Sequence, residues 1–431
     1  MDAYYIFCFL AAVSVLLGFL NQYVLRAQTT IAITAGALAL SMLVTGLGKL
    51  GVLELRDWAD QLLPLLNLPD LLLKGMLGFL LFAGSLHIDL LMLRNQRLEI
   101  GLLAVVGTTI STFVVGALLY GFLQLLGLPA AFVYCLLFGA LISPTDPIAV
   151  LAILKSLKAP EQVAIQVEGE SLFNDGFGLV IFAVIYALAF QGAEPTLPAV
   201  AQLFALEAIG GVLLGLFIGG LFHFLICATD DHSLELLLTL VIPTAGFALA
   251  NILGVSGALA MVVSGIIIGN FTREKGFSRV SQHELDNFWS ITEDFLNGLL
   301  FLLVGLFLIT IDFRAVDYIL IAAAIAIVLM GRVSAVSVPF LLLKRLRRYH
   351  PYSERILIWG GLRGGLALAL AMSIPADHIA VGDQDLRHLW VVMTYGVVLF
   401  SIVVQGSTIA PLIQRSRAVA EPETKVPEAT G

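Results

Sequence analysis

One short segment places a carboxylate, an amide and a hydroxyl in an otherwise apolar run. Asp175 follows Ser171 by four residues, so in a helix the two side chains share one face, and Glu170 and Asn174 share the neighbouring face. The sequence then stays apolar as far as Phe190. Carboxylate and hydroxyl oxygens are hard ligands of the kind that suits Na⁺ or Li⁺. The spacing therefore predicts reversible binding of a small cation.

The apolar surroundings of Asp175 add proton chemistry to this prediction. A carboxylate within a membrane helix costs about 2.5–3.5 kcal/mol and by default marks an ion path or proton relay. Burial disfavours the charged form, so a proton and a cation would compete for Asp175. The alternative is a purely structural polar contact between helices. Glu170 is instead expected to pair with Arg332 of a later apolar segment, and removing either partner would cost about 3–5 kcal/mol.

Asp146 lies between two prolines in the middle of another apolar stretch. Pro144 and Pro147 lack a backbone N–H and push the preceding residue away from helical geometry, so the helix should unwind there. An aspartate followed by proline is typical of a helix start, which predicts a second half-helix from Pro147 with Asp146 as its cap. Unwound backbone at Thr145 would offer carbonyl oxygens to a cation beside Asp175.

A second apolar stretch is interrupted at residues 360–365, which read Gly-Gly-Leu-Arg-Gly-Gly. Each glycine weakens a helix by roughly 1 kcal/mol relative to alanine, so this stretch should also unwind and place Arg363 beside exposed carbonyls. Paired broken helices at membrane depth are typical of transport sites. The alternative is that proline and glycine merely kink ordinary membrane helices, in which both are common.

The elements that must position these residues are membrane-spanning helices. Hydrophobic residues make up 59% of the 431 residues, charged residues 13%, and the mean hydropathy is +0.98, which leaves too little polar surface for a soluble protein. A bilayer is crossed by roughly 20 apolar residues, and long uninterrupted runs of this kind exclude an outer-membrane barrel. About thirteen spans are predicted, at 4–24, 30–50, 70–93, 99–127, 131–154, 171–191, 198–227, 233–253, 256–270, 286–310, 315–343, 354–374 and 388–414.

The order of the spans predicts a domain organisation. The interrupted spans are the fifth and the twelfth, which suits inverted repeats at about 4–191 and 233–414 joined by a linker helix at 198–227. Together they form a transmembrane domain, 1–414, followed by a short polar cytoplasmic tail, 415–431. Every second connection contains Lys or Arg, except the loop at residues 230–232, and this alternation predicts an N-terminus outside and a C-terminus inside the cell.

Charge and cysteine content argue against nucleic-acid binding and against a disulfide-bonded framework. The net charge of −8 lies mainly in loops and tail and offers no basic face for nucleic acid. Cys8, Cys135 and Cys227 lie in apolar runs and are expected to be buried core thiols without a disulfide framework. No cofactor is expected, because the transported ions are substrates.

Three motifs together resemble one known family. Residues 143–150 read Ser-Pro-Thr-Asp-Pro-Ile-Ala-Val, residues 169–176 read Gly-Glu-Ser-Leu-Phe-Asn-Asp-Gly, and residues 360–364 read Gly-Gly-Leu-Arg-Gly. In order and depth they are similar to the sodium/proton exchangers of the first cation:proton antiporter group, which includes prokaryotic NhaP-type antiporters. The resemblance implies an all-α fold of thirteen helices with an inverted repeat, a homodimer in the bilayer, and no enzymatic activity.

The resemblance also implies roles for individual residues. Asp175 corresponds to the carboxylate that binds proton and cation, and Glu170 and Arg332 to a structural ion pair. An Asn-Asp pair in place of two aspartates resembles the electroneutral branch, which implies one proton per cation. Some archaeal relatives add a glutamate on the third span, and the matching stretch, residues 82–86, has none. The residues implied to surround the ion with Asp175 are Asn174, Asp146, Thr145 and Ser171.

The sequence therefore predicts an antiporter in a bacterial inner membrane that exchanges Na⁺, or alternatively Li⁺ or K⁺, for protons by alternating access. A channel or a proton-coupled transporter of another small solute is the main rival, because broken helices serve those too. An intramembrane serine protease is suggested only by Gly-Val-Ser-Gly at residues 254–257. Such an enzyme needs a general-base histidine, and the histidines after Ser256 lie in predicted loops or span ends.

Overall fold

A computed structural model of the protein describes residues 3–24, 28–49, 67–345, 349–375, 379–381 and 384–420. This part of the chain is almost entirely helical, which confirms the predicted class. The exception is a two-stranded antiparallel ribbon of β1 (Ala380–Val381) and β2 (Gln384–Asp385), which was not predicted.

The helices run through the described chain in two groups, before and after residue 230. The first group is α1 (Ala3–Tyr23), α2 (Thr29–Lys49), α3 (Leu68–Leu86), α4 (Leu90–Asn95), α5 (Arg97–Leu125), α6 (Phe132–Ile142), α7 (Ile148–Ser156), α8 (Glu161–Phe190) and α9 (Leu197–Cys227). The second group is α10 (His232–Leu253), α11 (Gly257–Ile267), α12 (Arg279–Thr310), α13 (Ala315–Leu343), α14 (Ser353–Gly360), α15 (Gly365–Met372), α16 (Leu386–Thr408) and α17 (Ala410–Ala420). A π-helical turn (Ile268–Thr272) and one further turn (Arg273–Lys275) extend α11.

The observed helices follow the predicted spans closely. Within the described residues, ten helices are long and apolar enough to cross a membrane. The other three predicted spans coincide with shorter helical segments, namely α6 with α7, α11 with its extension, and α14 with α15. The number of crossings therefore stays a prediction, whereas a multi-pass helical membrane protein is established.

Two predicted spans are each divided into two helices: 70–93 into α3 and α4, and 388–414 into α16 and α17. Three other differences arise because a helix continues beyond its apolar window. The helix α8 begins at Glu161 and not at 171, so Glu170 lies well inside it. The helix α12 begins at Arg279 and not at 286. The helix α17 includes residues 415–420 of the predicted tail, and residues 421–431 lie outside the described part of the chain. Hydropathy detects only the apolar part of a helix, so amphipathic ends are missed.

The cysteine prediction is wrong for two of three residues. Cys135 is buried, but Cys8 and Cys227 are exposed on the surface of the protein. Lipid tails are as apolar as a leucine-rich core, so an apolar run does not reveal which helix faces point into the protein.

The largest apolar core packs the first broken helix against α16. Phe138 of α6 meets Trp390 of α16 edge to face, with ring centroids 5.8 Å apart, and both side chains are fully buried. The Trp390 indole N–H also donates to the carbonyl oxygen of Tyr134 over 3.1 Å. Close packing of this kind fixes the half-helix α6 and hence the position of its unwound end.

Candidate ion-binding site

Two helices are interrupted where the sequence predicts, and the interruptions cross. The helix α6 ends at Ile142 and α7 begins at Ile148, while α14 ends at Gly360 and α15 begins at Gly365. The two unwound stretches pair through an isolated antiparallel bridge between Asp146 and Leu362. Four half-helix ends therefore converge on one region, two with positive and two with negative partial charge.

Glycine permits the close approach at this crossing. A Cβ atom at Gly364 would overlap the Asp146 carboxylate, and a Cβ atom at Gly361 would overlap the Arg332 guanidinium. The glycines therefore do more than weaken the helix, because they leave room for two charged side chains against the backbone.

Asp146 caps the N-terminus of α7. Its Oδ1 atom accepts a hydrogen bond from the Ile148 backbone N–H over 3.0 Å, which is the capping arrangement that the sequence predicts. The helix begins at Ile148, one residue beyond the predicted Pro147, which is within the usual spread of helix boundaries.

A buried hydrogen-bond network joins the first break to α8. The Thr145 N–H donates to Oδ1 of Asn174 over 3.2 Å, and the Asn174 amide N–H₂ donates to Oγ1 of Thr145 over 2.7 Å and to Oε1 of Glu170 over 2.8 Å. The hydroxyls of Thr145 and Ser171 lie 3.0 Å apart. Both amide atoms of Asn174 are therefore engaged, and they hold the unwound backbone against α8.

Asp175 faces the same break. Ser171, four residues earlier, meets Thr145, and Gly178, three residues later, packs so closely on Pro144 that a Cβ atom would overlap the proline ring. Asp175 lies between these two contacts on one helix face. Its side chain is partly exposed, and within the described chain neither a hydrogen bond nor an ion pair engages its carboxylate. The oxygens of Asp175 are thus available to an ion.

The charges that act on the Asp175 carboxylate come from three sequence-predicted neighbours, Asp146, Glu170 and Arg363. The Arg363 side chain is only 1% exposed. Its Nη1 atom lies 3.4 Å from the Gly361 carbonyl oxygen, and its Nε atom has no partner among the described residues. The guanidinium therefore supplies positive charge beside the carboxylates, and its Nε atom is left unpaired within the described residues.

Glu170 and Arg332 form a buried ion pair with two hydrogen bonds. The Nη1 and Nη2 atoms of Arg332 donate to Oε1 and Oε2 of Glu170 over 2.6 and 2.7 Å. Nε and Nη2 of Arg332 also donate to the Leu357 carbonyl oxygen over 3.0 and 2.7 Å. The two side chains are 6% and 3% exposed. One guanidinium thus ties α8, α13 and α14 together.

The helix α12 forms one side of this region. It begins at Arg279 and not at residue 286, so Glu293 lies near the middle of the helix and not near its end. Leu300 of the same helix packs against Gly365, the first residue of α15, so α12 approaches the crossing. The charges that act on the Glu293 carboxylate are those of Asp294, Lys155, Glu168 and Asp146. The spacing of Glu293 and Asn297, four residues apart in an apolar helix, is the signal that could have indicated this.

The serine of the rival protease motif has a structural role. The Ser256 hydroxyl accepts a hydrogen bond from the Leu259 N–H over 3.3 Å and caps the start of α11.

Comparison with known proteins identifies the family. The transmembrane model of the sodium/hydrogen exchangers matches residues 58–415. The chain belongs to this family. Its relatives include the Na⁺/H⁺ antiporter NhaP of Pseudomonas aeruginosa, 44% identical over 94% of this chain and 95% of that protein. Another is the Na⁺/H⁺ antiporter NhaH of Halobacillus dabanensis, 37% identical over 88% of this chain and 91% of that protein.

A solved structure supports the fold independently. The sodium proton antiporter MjNhaP1 from Methanocaldococcus jannaschii, determined at pH 8, superposes with a TM-score of 0.74 at 18% identity and covers 95% of this chain and 97% of that chain. This exchanger-family member therefore has the helical antiporter fold with two interrupted, crossing helices. The family is one of transporters, which agrees with the expectation of a non-enzyme.

Proposed function

We propose that the protein is a secondary active antiporter that exchanges Na⁺ for H⁺, with Asp175 as the carboxylate that holds either ion. The observation that carries this proposal is the position of Asp175, which faces the unwound backbone while its carboxylate is left unengaged. The family, and the names of its relatives as Na⁺/H⁺ antiporters, support this pair of ions.

The cation site is built from oxygens on both sides of the break. Asp175 supplies the charge, and Ser171 and Thr145 supply hydroxyl oxygens that already lie 3.0 Å apart. The second oxygen of Asp146 adds a further ligand, since its Oδ1 is used in capping α7. Asn174 is assigned a positioning role, because both of its amide atoms are occupied by Thr145 and Glu170.

Exchange follows from competition at Asp175. A protonated carboxylic acid lacks the negative charge that a cation needs, and a bound cation disfavours the proton. The movements of Na⁺ and H⁺ are then coupled, because the site changes its access from one side of the membrane to the other with one ion or the other bound. The network around Asp146, Asn174 and Arg332 joins both broken helices to α8 and α13, so we assign these elements to one body that moves as a unit during alternating access.

The proposal includes exchange of one proton per cation. Glu170 is balanced by Arg332, Asn174 is neutral and Asp146 is engaged in capping α7, so Asp175 is the group assigned to titrate during the cycle. Loading with H⁺ or with a monovalent cation then leaves the same net charge. Exchange is therefore electroneutral.

The proposal includes an arrangement in the membrane. Lys and Arg are concentrated in alternate connections between the spans. This pattern supports a protein of the bacterial inner membrane with its N-terminus outside the cell and its C-terminus in the cytoplasm. We also assign the chain two inverted repeats, at about 4–191 and 233–414, and a homodimeric assembly.

Reconstitution of the purified protein tests the function. Proteoliposomes with an internal pH dye receive each alkali chloride in turn. Na⁺ should drive proton movement in the wild type and in Asp230→Asn, a control that neutralises an exposed loop carboxylate. Asp175→Asn should give none while still being purified in normal yield. Full exchange by Asp175→Asn, or a wild type that responds to no alkali cation, would contradict the proposal.

A further inference from the structure

Asn297 of α12 is a buried amide with an unused oxygen. Asn297 is only 3% exposed, and its Oδ1 atom has no hydrogen-bond partner among the described residues. Buried polar atoms are almost always paired, and an unpaired one indicates a function or a ligand that completes it. Neither the sequence motifs nor the site described above gives Asn297 a role.

The position of Asn297 directs it towards the ion site. Leu300, three residues later on the same helix face, packs so closely on Gly365 that a Cβ atom there would overlap it. Gly365 is the first residue of α15, and its neighbour Gly364 packs in the same way on the Asp146 carboxylate. The face of α12 that carries Asn297 therefore contacts the start of α15, and the residue before that start packs against Asp146.

The residue one turn before Asn297 is also polar. Glu293 precedes it by four residues on the same face. The charges of Asp294, Lys155, Glu168 and Asp146 act on the Glu293 carboxylate. Beyond Asn297 the face becomes apolar with Leu300 and Val304, both buried. Along this face the Glu293 carboxylate is followed by the Asn297 amide oxygen and then by Leu300 and Val304, which pack against the start of α15.

We propose that the Asn297 amide oxygen is a ligand for the transported cation on its way between Glu293 and Asp175. This inference rests on the proposed antiport function and deepens it. A neutral oxygen can replace a water molecule of the hydration shell as Na⁺ loses its hydration. A proton needs no such shell, so Asn297 acts on cation affinity and leaves protonation of Asp175 unaffected.

The ligand also has a defined place in the mechanism. The helix α12 lies outside the group of helices assigned above to one moving body, namely both broken helices with α8 and α13, although Leu300 of α12 packs on Gly365 of that group. Movement of that group relative to α12 would separate Asn297 from Asp175. The cation is therefore held by Asn297 only in the state in which α12 adjoins the site.

Asn297→Leu, which keeps the approximate size and removes the oxygen, tests this role. Loss of one oxygen that contacts a charge should raise the apparent KM for Na⁺ about tenfold, with little change in kcat. The melting temperature should stay the same or rise, because replacing an unpaired buried polar group by an apolar one of the same shape is neutral or stabilising. A structural hydrogen-bonding role would give the opposite pattern, with a lower melting temperature and an unchanged KM.

Two further variants make the result decisive. Asn287→Leu places the same substitution at an exposed position of the same helix and should leave the KM unchanged. Asn297→Ser, which keeps a smaller oxygen ligand, should raise the KM less than Asn297→Ala, and this pair decides the matter if Asn297→Leu does not fold. An unchanged KM for Na⁺ in a folded Asn297→Leu, beside an active wild type, would overturn the Asn297 assignment alone. An inactive wild type would instead overturn the antiport function.

Discussion

The backbone N–H of Asp146 donates a 2.9 Å hydrogen bond to the carbonyl oxygen of Leu362. One residue belongs to the break between α6 and α7, and the other to the break between α14 and α15. Each break thus satisfies a polar backbone group of the other, in a part of the protein where unpaired groups are costly. The geometry around Asp175 consequently depends on both broken helices.

Gly364→Ala should damage transport severely. The added Cβ would overlap the Asp146 carboxylate, so either Asp146 or the crossing must shift. Displacement of an aligned site by about 1 Å can cost on the order of 100-fold in rate, and we expect at least about a tenfold loss of Na⁺-driven proton movement in proteoliposomes. Gly220→Ala, where a Cβ would meet nothing within 4 Å, is the matched control and should exchange normally. Equal activity of the two variants would argue against a tight crossing.

Glu170→Gln and Arg332→Ala should lower stability strongly. Each leaves a buried charge without its partner, at a cost of about 3–5 kcal/mol, and Arg332→Ala also removes the donors to the Leu357 carbonyl. The measurement is the melting temperature of the purified protein in detergent. Arg273→Ala breaks a more exposed pair with Asp286, whose side chains are 32% and 35% exposed, and should cost about 1 kcal/mol or less. Equal melting temperatures for Arg273→Ala and Arg332→Ala would refute the structural role.

The two interruptions could be predicted because their causes are local. Proline removes a donor and restricts the residue before it, and four glycines in six residues weaken any helix, so the ends at Ile142 and Gly360 follow from sequence. The bridge between Asp146 and Leu362 could not be predicted, because it joins residues far apart in the chain. The starts of α8 and α12 were misplaced because they are amphipathic.

Residue types and spacing along α8 were sufficient to group Asp175 with Ser171 and Glu170 with Asn174. They did not reveal that both amide atoms of Asn174 form hydrogen bonds, with Thr145 and Glu170. The bonds to Thr145 require the unwound backbone to lie at hydrogen-bonding distance from α8. Asn297 was overlooked for a related reason. An asparagine in an apolar helix acquires meaning only when its neighbours prove to leave its oxygen unpaired.

Exchange should be independent of membrane potential. With Glu170 paired to Arg332, Asp175 is the group assigned to change its load, and one H⁺ for one Na⁺ moves no net charge. The initial rate of Na⁺-driven proton movement is measured in proteoliposomes with and without a K⁺ diffusion potential set by valinomycin. The two rates should agree, whereas a steep dependence on the imposed potential would refute one-for-one exchange.

Proton release on cation binding tests the central role of Asp175 most directly. The purified protein is held in weakly buffered detergent solution with a pH dye, and NaCl or choline chloride is added. If one carboxylate holds either ion, Na⁺ should displace about one proton per chain and choline none, and Asp175→Asn should release none with either salt. Undiminished Na⁺-dependent proton release from folded Asp175→Asn would contradict the account.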